Sequence, residues 1–185
     1  MGPQGSGKGT QAARLADTFE IVAISTGDIF RANIKGETEL GRLAREYTKK
    51  GELVPDSVTN DMVRARLAED DVKGGFILDG YPRNAAQVAE LDSILGDLGW
   101  ELDGVIELTA DRGELLARIV KRAEIEGRED DTEEAVARRL DIYDEQTAPL
   151  TAAYAERNLL VQVDGIGEID EVTERIVKSL ATQLG

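Results

Sequence analysis

The sequence predicts one α/β domain, and three observations carry that prediction. Its 185 residues suffice for a single sizeable core. A glycine-rich turn at the start opens into a segment with helical apolar spacing. Four short apolar runs, too brief for helices, then alternate with longer amphipathic segments, as strands and helices do in α/β order.

The opening stretch, Met1 to Thr10 (MGPQGSGKGT), organises the rest. Gly2, Gly5, Gly7 and Gly9 let the backbone fold tightly around an anion with successive N–H groups turned inward, and Lys8 adds a mobile positive charge. Ala12, Leu15, Ala16 and Phe19 then mark the core face of a helix, so the loop sits at the positive end of a helix dipole. The signature G-x-x-x-x-G-K-[ST] is nearly met from Gly2 to Gly9, with the hydroxyl displaced by one residue to Thr10. A merely flexible glycine-rich end is seldom built on G-x-G-K-G-T.

Composition narrows the chemistry. Without cysteine or histidine there is no disulfide, thiol nucleophile, imidazole base or Cys-ligated zinc. Catalysis must rest on carboxylates, Lys, Arg, hydroxyls and backbone dipoles. The net charge of −15 argues against a nucleic-acid surface, and no apolar run approaches the ~20 residues of a membrane span. No signal peptide is apparent, so the expected location is cytoplasmic. A protein this acidic that binds polyphosphate must hold its cations locally, which gives weight to arginines at strand ends and loops.

Taken in order, Ile21 to Ile24 predicts a strand running into Ser25-Thr26-Gly27-Asp28, where Ser25 and Asp28 fit a capping box. Helices are predicted over Glu39–Lys50 and about Ser57–Leu67, separated by Gly51 to Pro55. Phe76 to Leu78 reads as a buried strand with Asp79 at its carboxyl end, the edge where doubly wound sheets bind ligands. A carboxylate there suits the water shell of Mg²⁺, although Asp79-Gly80 alone also fits a turn. Asn84 and Gln87 fit a second capping box. Val105 to Leu108 is a third strand, followed by a helix with Arg118 and Arg122 on one face. Residues 123–131 read as a loop broken by Gly127. A helix carrying Arg138 and Arg139 starts from Asp131-Thr132 and should kink or divide at Pro149. Leu159 to Val163 is the last strand, and Ile169, Val172, Ile176, Val177 and Leu180 form the core face of a closing helix.

Four motifs occur in order: GPQGSGKGT, STGDIFR from Ser25 to Arg31, DGYPR from Asp79 to Arg83, and REDD from Arg128 to Asp131. Together they resemble the nucleoside monophosphate kinases, adenylate kinases above all, from Gly2 to the last helix. The resemblance implies a P-loop three-layer α/β/α fold with a parallel five-stranded sheet. It implies one domain over residues 1–185, with a mobile AMP-binding insertion at 25–54 and a short lid at 121–131. The implied reaction is Mg·ATP + AMP ⇌ 2 ADP, with Mg²⁺ bound beside ATP, no zinc, and a monomeric state by family habit.

Site roles follow from the same resemblance. ATP would take Gly5, Ser6, Gly7, Lys8, Gly9, Thr10, Arg118, Arg122 and Gly167. AMP would take Thr26, Arg31, the segment Glu52, Leu53 and Val54, then Gly80, Tyr81, Pro82, Arg83 and Gln87, with Arg128 and Arg139. Lys8, Arg83, Arg122, Arg128 and Arg139 would stabilise the transferred group. Asp79, with Asp28 as second candidate, would hold the metal through water. A kinase for UMP or CMP shares the loop and most arginines, but Thr26 and Gln87 favour adenine in the resemblance.

One feature departs from the pattern. P-loop proteins carry a buried strand of about five apolar residues before the loop, and here only Met1 precedes it. A clipped N-terminus is therefore the expectation, with four recognisable strands and the central one missing. An inactive chain that only binds nucleotide is the corresponding alternative.

Overall fold

The computed structural model describes residues 1–185. Helix α1 (Lys8–Phe19) leads into β1 (Val22–Ser25), followed by α2 (Thr26–Lys35), α3 (Glu39–Thr48) and α4 (Asp56–Leu67). Then come β2 (Phe76–Asp79), α5 (Ala85–Leu98), β3 (Val105–Thr109) and α6 (Arg112–Glu126). Helix α7 (Glu133–Ile142), a π-turn (Tyr143–Thr147), α8 (Ala148–Glu156), β4 (Leu160–Asp164) and α9 (Ile169–Leu184) complete the chain. No helix is long and apolar enough to cross a membrane.

The four expected strands are present, but they form two parallel pairs, β1–β2 and β3–β4. No backbone ladder joins β2 to β3. On the β4 side Val105 N–H donates to Leu159 O at 2.8 Å. On the opposite edge of β3, Leu108 N–H donates to Met1 O at 2.9 Å and the Met1 amine donates to Ile106 O. Alternate residues of a strand face opposite neighbours, so Met1 occupies the position of a strand neighbour to β3.

Apolar packing makes the two pairs one body. Ile24, Val63, Leu67, Val72, Tyr81, Leu91, Ile94 and Leu95 bury α4 and α5 against β1 and β2. Leu15, Leu108, Val161, Val163, Val172, Ile176 and Leu180 bury α1 and α9 against β3 and β4, and Ile77 of β2 packs into the same cluster. Burying such a side chain contributes about 1.5–3 kcal/mol, which is why these periodic positions decide the layering.

Three local expectations are corrected. Phe19, the last residue of α1, is 46% exposed, because the left-handed Glu20 turns the chain towards β1 at that point. Ile169 is 50% exposed, because it is the first residue of α9 and lies outside the packed stripe of Val172, Ile176 and Leu180. The 123–131 loop is shorter than expected: α6 continues through Glu126 and stops at the left-handed Gly127. Polarity at Glu124 and Glu126 signals an exposed helix end there, and periodicity cannot separate that from loop.

Pro149 falls at the start of α8, and the long helix divides there through the π-turn. Ring closure removes an N–H donor at that position, so the unbroken i→i−4 ladder cannot pass.

Candidate active site

The glycine loop is pressed against α6. A Cβ on Gly5 would stand 2.8 Å from Leu115 O and 2.9 Å from Ile119 Cγ1, so no side chain fits there. Gly7 caps α1 in the left-handed region (φ 90°) without any side-chain cap, which leaves the first N–H groups of the helix available to an anion. Ser6 is buried, and its Oγ has no hydrogen-bond partner.

Across from the loop, the β1–β2 register sets Ser25 level with Asp79, so two strand ends deliver their loops to the same edge. Lys8 Nζ lies 3.5 Å from Asp79 Oδ1. The Asp79 side chain is 10% exposed, and Oδ1 accepts no hydrogen bond. Burial pushes the Lys8 ammonium below the ordinary lysine pKa; the Asp79 carboxylate opposes that fall, and the Arg83 and Arg122 guanidiniums add to it. Arg83 is likewise lowered by burial, with Asp79 opposing and Arg139 and Arg31 adding.

Beyond Asp79, Thr26 Oγ1 donates to Gly80 O at 3.1 Å, tying α2 to the end of β2. Arg83 is held three times: its Nε donates to Gly80 O at 2.8 Å, its N–H donates to Gln87 Oε1 at 2.7 Å, and its carbonyl accepts from Thr147 Oγ1 at 2.6 Å. Asn84 caps α5 as expected, accepting from Gln87 N at 2.9 Å. The Gln87 side chain does not return to Asn84, since its Oε1 takes Arg83 N–H and its Nε2 donates to Asp56 Oδ1 at 2.9 Å. Ser25 accepts from Asp28 N, so it caps α2, but the expected box is not closed, because the Asp28 carboxylate engages Arg31.

Helix α6, the turn after it and α7 gather the remaining cations. Arg118 reaches Gly165 O at 3.0 Å and the loop carbonyls of Ser6 at 3.4 Å and Gly5 at 3.5 Å. Arg122 and Arg139 share the carboxylate of Asp131, whose side chain is 0% exposed. Arg139 also donates to Thr48 O at 2.9 Å and to Asp130 Oδ2 at 3.3 Å. Arg128 pairs with Glu126, and Arg31 with Asp28 at 2.5 Å.

All the site residues expected from the sequence border one cleft of about 1100 Å³: Gly5 to Thr10, Thr26 to Arg31, Glu52 to Val54, Asp79 to Arg83, and singly Gln87, Arg118, Arg122, Arg128, Arg139 and Gly167. The structure adds Gln4, Thr147 and Asp131, to which sequence reasoning gave no role. Gln4 had a signal as part of GPQGSGKGT and Asp131 as the last residue of REDD, whereas Thr147 had none.

The donor set suits magnesium held through water. Asp79 offers a buried carboxylate oxygen with no N–H donor on it, beside the phosphate loop. Asp28 fits less well: its side chain is 70% exposed and its carboxylate already engages Arg31. Burial would raise the Asp28 pKa, but the Arg31 hydrogen bond and charge outweigh it and hold the group below the usual aspartate value.

The sequence profile of the Adenylate kinase family matches residues 1–159. The chain belongs to the adenylate kinase family. It is 61% identical to the adenylate kinase of Kocuria rhizophila over 180 residues, covering 97% of this chain and 96% of that protein. The adenylate kinase of Bifidobacterium longum is also 61% identical, with 97% of each chain covered. That of Thermobifida fusca is 53% identical over 183 residues, or 99% of this chain and 97% of the relative. Adenylate kinase chemistry accounts for a site with a phosphate loop, many guanidiniums and no imidazole. The reaction is ATP + AMP ⇌ 2 ADP, and neither a UMP or CMP kinase nor an inactive binder is favoured.

Proposed function

We propose that ATP lies on the Gly5–Thr10 loop and AMP on the opposite wall, with the phosphoryl group passing between them along the line from Lys8 to Arg83. The observation that carries this reading is the meeting of Lys8 and Asp79 at 3.5 Å in the cleft that Arg83, Arg122 and Arg139 also line. The nucleophile is an AMP phosphate oxygen, already largely ionised at neutral pH, so no general base is needed. Catalysis is then positioning and charge neutralisation.

In this reading the loop amides and Lys8 orient the ATP phosphates, assisted by Arg118. Arg31, Arg83 and Arg139 clamp the AMP phosphate, and Arg122 and Arg128 neutralise charge on the transferred group. Thr26, Gln87 and the backbone of Glu52 to Val54, with Gly80 to Pro82, surround the AMP nucleoside, while Gly167 borders the ATP base. Asp79 would hold Mg²⁺ through water, and the metal when bound neutralises phosphate charge. Residues 25–54 and 121–131 would move inward over the nucleotides, excluding water as a competing acceptor.

The same reading makes the enzyme cytoplasmic and monomeric, with ATP, AMP and ADP as partners. The −15 charge supports the absence of a nucleic-acid partner.

The test is ADP formation from Mg·ATP with AMP, CMP, UMP or GMP as separate acceptors. Turnover with AMP far above the others is the expected result. Preference for UMP or CMP would reassign the acceptor pocket, and silence with all four would overturn the reading.

A further inference from the structure

We infer that Gln4 is a positioning residue for the phosphoryl-transfer arginines, acting through Asp131. The inference rests on the roles just proposed for Arg122 and Arg139. The Asp131 carboxylate lies at the end of the lid turn, beside Thr132, the cap of α7, and its side chain is fully buried. Its Oδ2 accepts from Arg122 Nε at 3.1 Å and Nη2 at 2.8 Å. Its Oδ1 accepts from Arg139 Nη1 at 3.1 Å and from Gln4 Nε2 at 2.7 Å. A carboxylate offers about four lone-pair sites, so these four donors saturate it.

Of the four donors only Gln4 comes from the phosphate loop. Arg122 is on α6 and Arg139 on α7, the two helices that the lid turn connects. Gln4 sits in a turn closed by Ser6 N–H donating to Pro3 O at 3.1 Å, next to Gly5, which is locked against α6. The loop is thus a fixed post, and the Gln4 amide is the tie from that post to the carboxylate both arginines share.

The orientation of the amide is dictated by chemistry, because only its NH₂ end can donate to a carboxylate. That choice leaves Gln4 Oε1 buried without a donor. A side chain serving only to fill space would carry no such orphan, so the contact with Asp131 is what the amide supplies. Through it the arginines are registered to the ATP phosphates rather than merely to each other.

The charged groups around residue 4 are Asp131 with Arg122 and Arg139 on the same carboxylate, and Arg118 of α6 on the Gly5 and Ser6 carbonyls. Gln4→Glu therefore sets an anion against a saturated anion. Below the carboxyl pKa the acid form donates a proton and restores the tie.

The experiment measures kcat and both KM values for wild type, Gln4→Leu, Gln4→Glu and Arg139→Lys, with melting curves alongside. Gln4→Leu should lower kcat about tenfold, the worth of one charge-assisted contact realised at the arginines, with KM for ATP within about twofold. Gln4→Glu should be slower still at pH 8, and its kcat relative to wild type should recover as the pH falls towards 5. Wild-type kcat in both Gln4 variants, with Arg139→Lys impaired, would overturn the tie and leave the arginine roles standing. An unimpaired Arg139→Lys would overturn the arginine roles and the tie together. A pH-independent ratio for Gln4→Glu would also overturn the tie, and this series decides the matter if Gln4→Leu does not fold.

Discussion

Lys8 and Asp79 meet at 3.5 Å, although one opens α1 and the other ends β2. Burial lowers the lysine pKa from its ordinary 10.5, and the carboxylate restores part of the loss. As pH rises through the lowered value the ammonium is lost. kcat/KM for ATP, which reports the free enzyme, should therefore fall at a lower pH than an ordinary lysine would give. Asp79→Asn removes the group that raises the lysine pKa, so the alkaline limb should move to still lower pH. A pH profile of both proteins checks this, and an unmoved limb would contradict the coupling. Lys8→Met should lose about 10²–10³ in turnover, as expected for removal of one transition-state charge donor.

Thr147 belongs to the π-turn, yet its hydroxyl donates to Arg83 O at 2.6 Å. Such one-turn π segments often sit at functional sites. Thr147→Val keeps the shape and leaves a part-buried carbonyl without its donor, a loss of about 1–3 kcal/mol. KM for AMP should rise about tenfold, KM for ATP should stay unchanged, and Thr147→Ser should restore the wild-type value. Equal changes in the two KM values would show that the bond only stabilises the fold.

Gly51 holds the turn between α3 and the Glu52–Val54 segment against α7. A Cβ there would stand 2.3 Å from Ala135 O, on a backbone with φ 71°. The close contacts, which include Ala135 Cα at 2.9 Å and C at 3.0 Å, are all with backbone and cannot be relieved by a rotamer change. Gly51→Ala should cost about 2–4 kcal/mol in urea unfolding, combining overpacking with left-handed strain. A variant as stable as wild type would mean that α7 does not rest there in solution.

In the proposed reading, the turn from Gly127 to Asp131 closes over the nucleotides and excludes water. Replacing Gly127 and Arg128 together should increase ATP hydrolysis in the absence of AMP, because an open site lets water accept the phosphoryl group. Phosphate release without AMP measures it directly, and unchanged hydrolysis would remove the lid from that role.

Much of this was legible along the chain because it is local. The loop from Gly2 to Thr10, the run Phe76 to Leu78 ending at Asp79, and the caps at Ser25 and Asn84 each depend on neighbours within a few residues. So does the division at Pro149. Those signals, in their order, determined the α/β class, the phosphate chemistry and the family.

Tertiary structure decided what distant residues do to one another. Gln4 meets Asp131 across 127 positions, Thr147 meets Arg83 across 64, and Gln87 turns to Asp56 and Arg83 N–H instead of back to Asn84. The split of the strands into two pairs and the exposure of Phe19 and Ile169 are of the same kind. Periodicity reports which face of an element is apolar. Which buried carboxylate a donor finds, and where a helix end outruns its partner, follow only when the elements pack.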